Sequence, residues 1–137
     1  MTLLRETAEK FGQSLDNDDF DLAIELISDD CKYVIGSSTL IGPVKICNSY
    51  EQNMIDGRNK LDGLEWGKSR IESISNSEFY VHFTDYLTHK KVKYVHRCKQ
   101  KLTIDTNGKI TNIKHVEDKD EQDRLSRFYA EVGLGDA

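Results

Sequence analysis

The sequence predicts an α+β domain: helices first, then a curved and mainly antiparallel sheet, then a C-terminal helix. Three observations carry this. Apolar residues recur at helical spacing up to Met54, period-two alternation takes over from Trp66, and Asn107-Gly108 stands between the last two alternating runs as a tight-hairpin signal. With 137 residues the chain reads as a single domain spanning 1–137. A hydrophobic content of 37% and a charged content of 31% suit a folded core and exclude collagen-like and membrane-spanning classes.

Leu4, Ala8, Phe11 and Leu15 share one face of a first helix, with Thr2 available as its N-cap. The acidic run from Asp16 to Asp19 breaks it. Phe20, Ala23, Ile24 and Ile27 then form a second, short helix capped by Asp18 or Asp19 and ended by Ser28-Asp29-Asp30. Residues 31–35 and 39–41 read as strands around a turn at Gly36. Pro43 suits the first position of a third helix, whose apolar face is Ile46, Cys47, Tyr50 and Met54 and whose stop is Gly57. Strands follow near 66–75, 78–88, 93–104 and 109–117. Leu125, Phe128, Tyr129 and Val132 mark the last helix, before a Gly-containing tail expected to fray.

A net charge of −5 opposes non-specific attraction to nucleic acid or anionic membrane. No apolar run approaches the ~18 residues of a spanning helix, and the opening MTLLRETAEKF carries acids where a secretory signal is apolar, so a cytoplasmic protein is expected. Cys31, Cys47 and Cys98 are odd in number and widely spaced, which fits buried free thiols rather than disulfides or a zinc knuckle.

Residues 4–54 also resemble the opening of the nuclear-transport-factor-2-like superfamily, specifically its SnoaL-like branch. The features are a helix, the short turn NDDFD, the helix end LISDDC running into a strand, and Gly42-Pro43 with Ile46 opening the third helix. The hairpin LTIDTNGKITNIKHVED is similar to that family's closing strand pair, so the likeness covers about residues 2–118. It implies a cone-shaped barrel, a pocket between helices and sheet, and frequent homodimers. The family includes steroid isomerases, polyketide cyclases, dehydratases, epoxide hydrolases and binding-only members, so fold alone does not choose among them. The steroid-isomerase pattern has a general-base aspartate on the first strand; here Cys31-Lys32-Tyr33-Val34-Ile35 carries no carboxylate. A polyketide-cyclase pattern has an acid–base residue late in the sheet, where His115 and Glu117 lie without matching it closely.

Alternation divides the strands into faces. Phe79, Val81, Phe83, Asp85 and Leu87 share the core face, Asp85 being its one charge, and Phe79, Val81, Phe83 and Leu87 are expected to be buried. On the next strand Tyr94, His96, Cys98 and Gln100 point inward, because the other face carries Arg97, Lys99 and Lys101. An even loop centred on Lys90-Lys91 sets Asp85 opposite His96. The same argument through the Asn107-Gly108 turn sets Gln100 opposite His115 and Cys98 opposite Glu117. A histidine flanked by carboxylates on an inward face suits acid–base catalysis: His96 as base, Asp85 orienting it, and His115 or Glu117 as the second proton-transfer group. A purely structural Asp85–His96 hydrogen bond would read the same. These four side chains are of metal-ligating types, but scattered positions give no spacing signature, so neither a metal nor a cofactor is expected. Phe11, Leu15, Tyr33, Ile35, Tyr50, Met54, Phe83, Gln100 and Phe128 are the expected ligand-binding wall. The basic outer face, interleaved with Tyr80, His82 and Tyr86, is read as solvated or dimer-forming, with nucleic acid disfavoured by the net charge. The function expected is that of a SnoaL-like small-molecule pocket protein acting as a cofactor-free lyase, isomerase or hydrolase on a largely apolar substrate; the alternative is a non-catalytic ligand-binding or dimerisation module.

Overall fold

The computed structural model describes residues 2–135, with side chains from Leu4 onward. Helix α1 (Thr2–Asp16) and helix α2 (Phe20–Leu26) meet at a sharp turn in which Asp18 adopts a positive φ of 55°, and Asp19 caps α2 by accepting from the Leu22 N–H at 3.2 Å. The Thr2 side chain, expected as the cap of α1, and the tail residues Asp136 and Ala137 lie outside the described residues.

Strand β1 (Ile27–Ile35) begins four residues earlier than the sequence suggests. Ser28-Asp29-Asp30, expected to end α2, already belong to the strand, and an irregularity in its pairing between Ile27 and Lys32 accommodates them. Strand β2 (Ser38–Ile41) folds back on β1, and helix α3 (Pro43–Lys60) follows with Pro43 in its first turn. Helix α3 runs through Gly57 instead of stopping there. A Cβ at that position would sit 2.6 Å from Leu64 Cδ2, so what looked like a terminator lies where the helix passes close to β3.

The expected strand at 66–75 is two strands, β3 (Gly63–Trp66) and β4 (Arg70–Ser73). Asp16 divides them by accepting from both the Ser69 N–H and the Ser69 hydroxyl at 2.8 Å, which draws the backbone off the sheet. Strands β5 (Glu78–His89), β6 (Val92–Ile104) and β7 (Ile110–His115) complete a seven-stranded sheet in the order β2-β1-β7-β6-β5-β3, with β4 beside β3 along β5. Every pair is antiparallel except β1 with β7. Helix α4 (Lys119–Glu131) is capped by Asp118, which accepts from the Glu121 N–H at 3.1 Å. The curved sheet stays open between β2 and β3, forming an open cone around the helices. No helix is long and apolar enough to cross a membrane.

Pairing of β5 with β6 follows the expected register throughout, Asp85 opposite His96 included. It closes with a two-residue turn in which Lys90 and Lys91 both take positive φ, 50° and 69°, the backbone of a type I′ turn that favours Asn-Gly. Replacing Lys90-Lys91 by Asn-Gly is therefore expected to stabilise the protein by about 1 kcal/mol, read as a higher urea midpoint with an unchanged slope. The β6–β7 turn differs from the expected two-residue hairpin. Asp105 bonds back to Lys109 at 2.8 Å, leaving Thr106, Asn107 and Gly108 as a three-residue loop with Gly108 at φ 79°. A one-residue shift before Thr103↔Asn112 then restores the pairing of Gln100 with His115.

Two buried clusters result. The larger includes Phe11, Ile46, Phe79, Val81, Leu102 and Ile113; the smaller joins Leu61, at the end of α3, and Leu87 of β5 to Phe128 of α4 and Val132, which caps that helix. Phe83, expected in the core, is only half-buried, because the helices leave a space over it. Lys99 and Lys101 are half-covered on the outer face, Lys99 lying over the Tyr80 ring at 4.3 Å and Lys101 2.9 Å from Glu78, while Arg97 is exposed.

Candidate functional site

A cavity of about 210 Å³ lies between the concave face of the sheet and helices α1–α3. Its floor is set by strand register. The inward residues of β5, β6 and β7 form rows: Asp85 with His96, then Phe83 with Cys98, then Val81 with Gln100 and His115. Trp66 of β3 extends the first row beside Asp85. Leu15, Phe20, Ile35 and Met54 add apolar side chains to the lining, while the polar groups fall at separate rows of the floor.

At one end are Asp85, Thr84, Trp66 and the aspartates of the α1–α2 turn. Asp18 accepts from Trp66 Nε1 at 2.8 Å and pairs with Arg58 Nη1 at 2.9 Å, so its charge is already partnered, as is that of Asp16 on Ser69. Asp85 is different: among the described residues its carboxyl makes no hydrogen bond. Burial pushes that carboxyl up to about 6, with His96 opposing the rise and Asp16 adding to it.

At the other end, Tyr50 O–H donates to Gln100 Oε1 at 2.5 Å, and Gln100 Nε2 donates to the phenol oxygen Oη of Tyr33 at 3.0 Å. The two tyrosine rings stack at 5.3 Å. Burial raises both phenols, Tyr50 well above its usual value, so they stay protonated donors. Beside them His115 Nδ1 is buried without a hydrogen-bond partner. Cys98, in the middle, is pushed up to about 12 by burial and is a thiol at neutral pH.

The cavity thus collects Leu15, Tyr33, Ile35, Tyr50, Met54, Phe83, Asp85, Gln100 and His115. Four of the expected residues lie elsewhere. Phe11 is completely buried behind the wall, edge-on to Tyr50 at 6.0 Å. Phe128 stacks on Tyr94 at 5.4 Å in the smaller cluster. Glu117 is exposed past the end of β7, where the chain leaves the sheet, and rims a separate surface depression with Arg97 and Lys119. His96 does not hydrogen-bond Asp85; its Nδ1 is 2.9 Å from Glu121 Oε2, on α4. Glu121 also accepts from Tyr94 O–H and from Arg124 Nη2, the latter at 3.0 Å, and is nearly buried. Burial works against its ionised form, but the hydrogen bonds outweigh burial and hold its carboxyl below the usual range. Among the described residues no three His, Cys, Asp or Glu side chains group as a metal site.

No protein-family model matches the sequence, and no curated protein matches it. Solved structures do. A candidate polyketide cyclase from Xanthomonas campestris pv. campestris shares 12% identity over 96% of this chain and 97% of its own, with a TM-score of 0.69. An LEH-like epoxide hydrolase from M. tuberculosis shares 18% over 97% and 98%, at 0.65. An NTF2-like protein of unknown function from Burkholderia pseudomallei shares 12% over 91% and 98%, at 0.68. The fold is nuclear-transport-factor-2-like. Within this nuclear-transport-factor-2-like cone, sequence reasoning missed Glu121, Trp66 and the aspartates of the α1–α2 turn. Glu121 had a signal: with Leu125, Phe128 and Val132 it lies at i, i+4, i+7 and i+11, the buried face of α4. Asp16 and Asp18 had none, since acids between two helices read as caps and breakers.

Proposed function

We propose that the chain binds a small, largely apolar molecule in this cavity and acts on it by cofactor-free acid–base chemistry, as a lyase, isomerase or hydrolase, with Asp85 transferring the proton. The observation that carries the reading is a carboxyl in the wall of an apolar cavity with no hydrogen bond to satisfy it. A structural carboxylate is normally hydrogen-bonded, as Asp16, Asp18 and Glu121 are here. An Asp85 held near neutrality can take a proton from an activated C–H or from water and return it to a leaving or accepting atom. This assigns the base to Asp85 and leaves His96, hydrogen-bonded to Glu121, behind it. A fold neighbour that is an epoxide hydrolase is compatible with such chemistry without selecting it.

Non-catalytic binding is the second reading, favoured by one observation: Tyr33, Tyr50 and Gln100 largely satisfy one another. The two separate in an assay of styrene oxide hydrolysis, dehydration of a β-hydroxy ketone, and isomerisation of a β,γ-enone, each with the wild type and Asp85→Asn. The catalytic reading expects turnover of at least one probe, falling by roughly 10²–10⁴-fold in the variant. Where Asp85 is the base, the rate should fall as pH drops through about 6; where it is the acid, the rate should fall above it. Binding of the probes with no turnover would leave the binding module as the function, and turnover equal in both proteins would remove Asp85 from the chemistry.

A further inference from the structure

A second depression, of about 770 Å³, opens along the outer face of the sheet. Strand pairing sets out its floor. Arg70 of β4, His82 of β5 and Lys99 of β6 stand in one row, and Thr84 and Arg97 stand in the next. With neighbouring strands about 4.8 Å apart and alternate residues about 6.8 Å apart, Arg70, Arg97 and Lys99 fall within about 12 Å of one another on one face. Lys68, on the link from β3 to β4, stands at one side. The segment from Val116 to Asp120 closes the other, where Val116 N–H donates to the Lys99 carbonyl at 3.1 Å.

The cations of this floor are not neutralised within the protein. Around them Lys101 pairs with Glu78 at 2.9 Å, Lys119 with Asp123 at 3.2 Å and His82 with Glu72 at 2.7 Å, whereas Lys68, Arg70, Arg97 and Lys99 make no ion pair among the described residues. Lys99 lies over the Tyr80 ring, and the other three are exposed. The carboxylates of the far wall are engaged elsewhere. Asp118 accepts from the Glu121 N–H at 3.1 Å, and Asp120 sits in the first turn of α4, where the helix dipole favours it. Glu117 Oε1 reaches to within 3.9 Å of the Cβ position of Gly36, in the β1–β2 turn. Glu72, at the edge of the floor, responds to the surplus of positive charge: the hydrogen bond from His82, then the charges of His82, Arg70 and Lys99, hold it below the usual carboxylate range.

Two guanidinium groups without ion pairs on one face suit a phosphate, whose charge matches theirs and whose three outer oxygens accept their forked N–H groups. A carboxylate brings less charge and fewer acceptors. The depression is far larger than one phosphate, so space remains for the molecule that carries it, while the acidic wall and a net charge of −5 oppose a long polyanion. We propose that this depression binds a small phosphomonoester, its phosphate held by Arg70 and Arg97 with Lys68 and Lys99 alongside. This site does not depend on the chemistry at Asp85.

Phenyl phosphate, inorganic phosphate, benzoate and a short thymidine oligonucleotide test it, each titrated into the whole chain at low salt and followed through the arginine Nε–H resonances. Phenyl phosphate should move the resonances of Arg70 and Arg97 to saturation and bind about tenfold more tightly than benzoate. Arg70→Gln and Arg97→Gln should each weaken it by about tenfold, the loss that goes with a charge-assisted hydrogen bond. Both arginines are exposed, so neither change threatens the core. Lys93→Gln removes an exposed cation of the same face of β6, outside the depression, and should leave the affinity unchanged. Shifts that never saturate, equal affinity for benzoate, or a loss in Lys93→Gln as large as in Arg97→Gln would overturn the site, since each means a diffuse positive field in place of a paired clamp. Inorganic phosphate binding as tightly as the ester, or the oligonucleotide binding more tightly than either, would overturn the small phosphomonoester as its occupant.

Discussion

Asp85→Asn is expected to stabilise the protein by up to about 3 kcal/mol at pH 7.5 and by only about 0.5 kcal/mol at pH 4. The carboxyl rises from an ordinary value of 3.8 to about 6 on folding, chiefly through burial, and each unit is worth about 1.4 kcal/mol. Between those two values the folded state binds more protons than the unfolded state, so the stability contributed by the neutral acid is complete below pH 4 and is lost as pH rises through 6. The amide removes that loss because it never ionises. Urea unfolding of both proteins at the two pH values checks this, and a variant less stable than the wild type at pH 7.5 would show that Asp85 has partners in solution. The same substitution is expected to abolish turnover, so stability and activity move in opposite directions, as they do where a site holds a group its surroundings disfavour.

Phe11→Ala and Phe83→Ala should differ sharply although both rings were expected in the same wall. Phe11 has no exposed surface and is enclosed by the larger cluster, so its removal leaves a void and is expected to cost about 3–5 kcal/mol. Phe83 is half-buried and already faces a cavity, so its truncation loses fewer contacts and is expected to cost under about 2 kcal/mol while enlarging the binding space. Chemical denaturation measures both; equal losses would mean that the cavity is closed over Phe83 in solution.

Much of the floor of this site was legible because alternation and an even loop fix which side chains share a row. Asp85 opposite His96 follows from Lys90-Lys91, and Gln100 opposite His115 from carrying the register through Asn107-Gly108, although that turn reaches the same register by a longer loop and a bulge. What covers the floor was less legible. That Leu15 opens on the cavity while Phe11 does not depends on where α1 crosses the sheet, and a helical face carries no mark of that crossing. His96 was assigned to Asp85 because strand pairing is visible in sequence, whereas Glu121 reaches it from a helix that returns over the sheet end. An acidic first turn looks like dipole complementation and a solvated surface, and Asp120 fills that role beside it.

The parallel pairing of β1 with β7 governs how this chain must assemble. Ile27 and Ile110 are neighbours in the sheet although about 80 residues separate them in sequence. As the chain emerges from the ribosome, β1 can pair with β2 at once, but its other edge has no partner until almost everything else has been made. The floor rows that contain His115 close at the same late moment. The cavity floor is therefore complete only once β7 has joined the sheet, and until then β1 presents an unpaired edge of the kind that invites mispairing.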